Sequence, residues 1–311
     1  MKTMAYGCAT VFQSALYRTN ATVIETPDMI MVIDPTWLPH EVEAIREQVQ
    51  RKRAGRPLYL LVTHNDFDHL IGCGAFPDAI VIASATLADA SAEERAAKLR
   101  QIHEFDAAYY VTRRDPVCYP DPQIIAASNG QRLRIGQFTQ LTFWLASGHT
   151  ADGMFALVEP GGIWIAGDYL SDFELPFIEH SAASYEETLR IASSILHERQ
   201  PTLLVPGHGD PTESTEEMKR RIAVATEHIG QLRLAVGNGI TGSEGDAGSK
   251  GDAGNIWNPG DVETLEQLRL AHGFQSSNTD DAHALNVRII RAELQAASGR
   301  GLEGRGTETL S

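Results

Sequence analysis

The stretch LLVTHNDFDHLIG, residues 60–72, sets two histidines and two aspartates, His64, Asp66, Asp68 and His69, directly behind an apolar run. Imidazole nitrogens and carboxylate oxygens are ligands for divalent metals. Three more such residues follow: His149 in ASGHTADG, Asp168 in IWIAGDYL and His208 in LLVPGHGD. Each stands at the end of an apolar run beside a glycine, which lets the backbone turn sharply and bring a ligand close. In an extended segment, residues two apart point the same way, so His64, Asp66 and Asp68 converge while His69 faces elsewhere unless the chain turns. One short stretch can thus serve two adjacent metals, since a single divalent ion does not need all four groups.

Other polar residues nearby have plainer readings beside functional ones. Thr63 and Thr150 adjoin ligand candidates and either orient them or satisfy backbone. Asp34 ends the apolar run MIMVID and reads equally as support for a ligand or as a turn residue. His40 reads as a capping or surface residue, and His103, His197, His228, His272 and His283 as structural or exposed histidines. The loop DYLSDFELPFIEH carries Tyr169, Phe173 and Phe177. It reads either as a packed loop or as a substrate-facing flap, with Tyr169 a donor to an oxyanion or leaving group.

The elements that must position these residues follow from hydrophobic spacing. ATVIET and MIMVID are β-branched runs separated by the turn-forming PD. Val42, Ile45 and Val49 recur at helical spacing. LYLLVT reads as a buried strand stopping at the His/Asp cluster, and AIVIA as another. Ser91 and Glu94 form a capping box opening a helix with Leu99 and Ile102 on one face. Strands RLRI, QLTFWLA, MFALVE and GIWIAG follow, then a second capping box, Ser184 with Glu187, and a last strand in TLLVPGHG. Helices are expected near 214–236, 261–272 and 279–297. This alternation predicts an α/β layered architecture. The expected organisation is one domain over 1–238, a flexible Gly/Asp/Ser-rich insertion over 239–259, C-terminal helices over 260–298 packed on the same domain, and a disordered tail over 299–311.

A formal net charge of −15 disfavours broad contact with nucleic acid, leaving a small molecule as the expected partner and allowing a homodimer. Cys8, Cys73 and Cys118 form no CxxC pair and read as free thiols. No apolar run is long enough to span a bilayer, and the N-terminus lacks the apolar region of a signal peptide. The expectation is therefore no membrane association and a cytoplasmic location.

THNDFDH, GHT, GD and PGHG, in that order, resemble the metal motifs of the metallo-β-lactamase fold superfamily, whose signature is HxHxDH. The resemblance runs from VIDPTW to His208. It implies an αββα sandwich with a helical C-terminal extension and a dinuclear site between the sheets. By position, His64, Asp66 and His149 would hold one metal, Asp68, His69 and His208 the other, and Asp168 would bridge. The departure is Asp66, which stands where the signature has its second histidine and lowers the charge of a loaded site by one unit. A harder ligand moves preference toward Mn or Fe without excluding Zn, the first expectation for the two divalent ions. On these grounds Asp66→His is expected to keep the fold and tighten zinc at the first position. The activity implied is a metal-dependent hydrolase in which a metal-bound hydroxide attacks an ester, lactone or phosphoester, with Asp68 or Asp168 managing the proton. A di-iron oxidase or oxygenase of the same fold and a non-catalytic metal-stabilised binding protein are the alternatives.

Overall fold

The structure is a computed structural model that describes residues 1–242, 273–274 and 279–303. Strands β1 (Lys2–Tyr6), β2 (Ala9–Gln13), β3 (Asn20–Glu25), β4 (Ile30–Ile33), β5 (Leu58–Leu61), β6 (Ile80–Ser84) and β7 (Ile124–Ala126) form one sheet in sequence order. Its pairing is antiparallel from β1 to β4 and parallel from β4 to β7. Strands β8 (Gln131–Ile135), β9 (Thr139–Leu145), β10 (Met154–Glu159), β11 (Ile163–Ile165) and β12 (Leu203–Val205) form a second sheet in the order β12-β11-β10-β9-β8. The helices are α1 (Pro39–Arg53), α2 (Phe67–Leu70), α3 (Ala85–Ala88), α4 (Ala92–Ala108), α5 (Ala182–Arg199), α6 (Thr215–Gly242) and α7 (Thr279–Glu303).

The two-residue period of the strands sorts their side chains into layers. In β4, Met31 and Ile33 face the second sheet, while Ile30 and Val32 pack with Val42, Ile45 and Val49 of α1. In β10, Met154 and Ala156 join the core between the sheets, whereas Phe155 and Leu157 pack with α5 and α6. The fold is thus helix, sheet, sheet, helix, the layered α/β sandwich expected, with α7 packed on the α5–α6 layer.

Several boundaries differ from the expectation. The hairpin β1–β2 was not foreseen, because β1 is an edge strand with a largely exposed face and no alternating apolar signal. Helix α5 starts earlier than the Ser184 box: Ser181 Oγ caps it, accepting from Ser184 N–H at 3.2 Å. Glu293 of α7 completes that cap, accepting from Ser181 Oγ and Ala182 N–H at 2.8 and 2.9 Å, a partner no local reading could find. Helix α6 continues to Gly242, into the segment expected to be an insertion, and α7 continues to Glu303, into the expected tail. The rest of the insertion, the expected helix over 261–272 and residues 304–311 lie outside the described residues. Among the described residues, no helix is long and apolar enough to cross a membrane.

The layers place chemistry at one end of the sandwich. Asp34 follows β4, His64 follows β5, His149 follows β9, Asp168 follows β11 and His208 follows β12. These are strand C-termini, where α/β sheets leave a crevice.

Candidate metal centre

A single turn settles how THNDFDH is used. Asp66 is extended and α2 begins at Phe67, with His69 N–H donating to the Asp66 carbonyl at 2.9 Å. The extended alternation therefore ends at Asp66, and Asp68 does not converge with His64 as expected. His64 and Asp66 gather with His149 and Asp168, while Asp68 and His69 swing to His208.

In the first group, His149 Nε2 lies 3.0 Å from Asp66 Oδ2 and 3.3 Å from Asp168 Oδ2. In the second, His208 Nε2 is 3.3 Å from Asp68 Oδ2, and His69 Nε2 is 3.5 Å from the same oxygen. Asp168 joins the groups: its Oδ1 is 3.0 Å from His69 Nε2 and its Oδ2 is 3.2 Å from His208 Nε2. A tetrahedral zinc with bonds near 2.05 Å separates its ligand atoms by about 3.3 Å, the scale of these spacings. His64 supplies a second sign of fit. Its Nε2 is buried without a hydrogen-bond partner, and the nearest oxygens, on Asp66 and Asp168, are 3.6 Å away. A buried nitrogen left unpaired among carboxylates suits a cation.

The outer nitrogens of all four rings are held. His69 Nδ1 lies 3.0 Å from Asp34 Oδ2, His149 Nδ1 2.8 Å from the Phe177 carbonyl, and His208 Nδ1 2.9 Å from the Tyr17 carbonyl. Carbonyls and carboxylates only accept, so each Nδ1 carries a proton and each Nε2 is the ring atom turned inward, available to a metal once its own proton is displaced. Thr63 Oγ1 donates to Asp34 Oδ2 at 2.6 Å and so accepts from His64 Nδ1 at 2.9 Å. Asp34 therefore orients a histidine of each group, resolving its ambiguous sequence reading. Glycines allow the close approach: a Cβ on Gly207 would collide with Asp168 Oδ1, and one on Gly148 with the Tyr185 backbone of α5.

Electrostatics show what the cluster lacks without a cation. Burial favours neutral rings, yet Asp168 and Asp68 hold the His69 pKa well above the usual imidazole value. Asp168 does the same at His208, and Asp168 with Asp66 at His149. Burial would raise the Asp168 pKa, but His208, His69 and His64 hold it well below the carboxylate range. The metal-free cluster retains protons that a metal would displace.

Asp66, Asp68, His149, Asp168 and His208 floor a cavity of about 310 Å³ walled by Trp37, Phe67, Leu170, Leu175, Pro176 and Phe177. Tyr169 is not in its wall. Its ring stacks on Tyr185 at 4.4 Å, and its hydroxyl accepts from His149 N–H and donates to the Ser147 carbonyl, both at 3.0 Å. The expectation of a substrate-facing Tyr169 is corrected: the hydroxyl is spent on the backbone that carries His149. His40, His103 and His197 are exposed, while His228 and His283 are buried on α6 and α7, His228 against Phe274 of the cavity wall.

Lys98 was missed. From α4 its Nζ donates to Asp66 Oδ1 at 2.7 Å, with the pair only 20% and 14% exposed. One signal was available: Lys98 precedes Ile102 by one helical turn, so it occupies the buried stripe of α4, where a cation requires a partner.

The model of the metallo-beta-lactamase superfamily matches residues 15–221. Among solved structures, the stereoselective inverting sec-alkylsulfatase Pisa1 from Pseudomonas sp. aligns with a TM-score of 0.64 and 12% identity, over 93% of this chain and 49% of that one. The chain thus spans about half the length of that sulfatase. A metallo-beta-lactamase family protein from Thermus thermophilus aligns with a TM-score of 0.56 and 16% identity, over 93% of this chain and 91% of that one. At such identities the likeness is one of fold. No curated protein gives a significant match. The sandwich, the ordered motifs and the family match over residues 15–221 agree that this chain belongs to the metallo-beta-lactamase superfamily.

Proposed function

We propose that the protein is a hydrolase of small carboxylic esters or lactones that works with two divalent metal ions, zinc first among them. The observation carrying this reading is the convergence of seven His and Asp side chains in two adjoining groups, five of which line a walled cavity. His64, Asp66 and His149 would hold one ion, Asp68, His69 and His208 the other, with Asp168 shared. When bound, such ions supply an activated water and a Lewis acid for the substrate oxygen.

The chain's own residues do the rest. Asp34, Thr63 and the carbonyls of Phe177 and Tyr17 fix the four rings, so little reorganisation is needed during reaction. Asp68 opens onto the cavity, and although burial favours its acid form, His69 and His208 keep it a carboxylate. It takes the proton released as water adds to the carbonyl and returns it to the leaving oxygen. Trp37, Phe67 and Phe177 exclude bulk water and offer apolar surface.

Charge favours a neutral substrate over a phosphoester. Besides the candidate ligands, the cavity wall carries Glu174 and Glu179. Among the described residues, its two cations already hold partners: Lys98 donates to Asp66, and Arg221 donates to the Asp210 carbonyl and Glu217. An anionic substrate would meet carboxylates at the rim.

The test is a panel of aryl ester, lactone and phosphodiester given to the metal-loaded full chain, with Asp168→Ala as control. Ester or lactone turnover that Asp168→Ala abolishes is expected. Faster phosphodiester turnover, or activity that survives chelation, would refute the reading.

A further inference from the structure

Helix α4 is capped by Ser91 and Glu94 and buries Ile102, with Leu99 and Phe105 packed against the same core. Lys98 lies on that side, and its stem carries Nζ to the edge of the first ligand group. There it meets the oxygen of Asp66 that faces away from the histidines, since Oδ1 accepts from Lys98 while Oδ2 faces His149 and His64. Asp66 is thus used on both sides, inward as a donor atom and outward as half of an ion pair. Glu179 and Asp152 also act electrostatically on Lys98, and Asp152 is buried. Removing the lysine would leave Asp66, Asp152 and Glu179 facing the first position beside Asp168.

We propose that Lys98 acts through Asp66 as a charge-balancing residue, the pair making a net-neutral ligand that stands where HxHxDH has a histidine. The inference rests on the metal-centre reading above. It changes the account of Asp66. The extra negative charge of the aspartate does not reach the metals in full, because Lys98 returns one positive unit at the ligand's far oxygen. It also reverses the expectation for Asp66→His alone. An imidazole at 66 would strand a part-buried ammonium beside a divalent cation, so zinc at the first position is weakened rather than tightened unless Lys98 goes too.

The experiment titrates metal-stripped full-length protein with zinc against a chromophoric chelator, which needs no turnover. Wild type must first show two classes of zinc site; failure there overturns the metal-centre reading itself. Lys98→Met, which keeps the stem and removes the charge, is expected to tighten the first site by at least about tenfold. Lys98→Arg is expected to stay near wild type. Asp66→His is expected to bind at least about tenfold more weakly at that site than the Asp66→His/Lys98→Met double variant. Thermal unfolding of each variant reports whether it is folded, and the double variant remains informative if Lys98→Met does not fold, since it removes both members of the Lys98–Asp66 pair. Two wild-type sites together with equal or weaker first-site binding in Lys98→Met, or equal binding in Asp66→His and the double variant, would overturn the role given to Lys98.

Discussion

The two halves of the candidate centre are built differently. The second group, Asp68, His69 and His208, arises from one tight turn and one loop, and the His69 side chain is fully buried with Asp34 behind it. The first group, His64, Asp66 and His149, is drawn from the loop after β5 and the loop after β9, is rimmed by the 14% exposed Asp66 and leans on a lysine from α4. Both halves are held by buried carboxylate and carbonyl partners, but the first also leans on an ion pair at the cavity edge. The lesson is that a ligand set is defined as much by what holds each donor as by the donors themselves.

Substitutions can break this comparison at several depths. Asp168→Ala removes the one carboxylate shared by both groups and is expected to lower turnover by roughly 10³-fold or more, with both metals lost by elemental analysis. Asp66→Ala and His69→Ala should separate the halves: equilibrium dialysis is expected to show the first metal weakened in one and the second in the other. Asp34→Ala releases His69 and, through Thr63, His64. It should cost about 10–100-fold in metal affinity at both positions, making it the one change outside the ligand set that does not discriminate between halves.

A pH series sharpens the comparison in another way. In the metal-free chain, burial opposes but Asp168 and its neighbours raise the pKa of His69, His149 and His208. A pKa raised on folding gives stability that is complete below the unfolded value near 6.5 and lost as pH rises through the folded value. Asp66 and Asp168 are shifted down, so their contribution stands above about pH 3.9 and fades as pH falls through their folded values. The Tm of stripped protein is therefore expected to fall as pH rises above about 6.5, while that of zinc-loaded protein holds or rises, because alkaline conditions favour deprotonated ligands. Parallel curves would contradict this. The smallest effect is expected for Tyr169→Phe: loss of two hydrogen bonds behind His149, about 1–2 kcal/mol of stability by chemical denaturation, with metal stoichiometry unchanged.

Much of this was legible in the residues. Short strands ending in His or Asp beside glycine marked both the sandwich and the places where donors meet, because period-two runs and abrupt glycines are local signals. The grouping was less legible: the turn at Phe67 overrides the extended alternation that His64, Asp66 and Asp68 suggest. Tyr169 was misread because its acceptor, Ser147, and its stacking partner, Tyr185, come from distant segments. Lys98 and Glu293 were missed for the same reason, since each makes sense only beside a partner far along the chain. The spacing of Lys98 in the buried stripe of α4 was the single hint, and it is the kind of anomaly worth pursuing in other helices that flank a cluster of acids.

Whether the two groups hold two metals used for hydrolysis is tested by metal content per chain alongside ester turnover in stepwise-reconstituted protein. About two zinc ions per chain are expected, with turnover rising as the sites fill and lost on chelation. A chain that binds one ion or none, or whose turnover ignores metal content, would contradict the account.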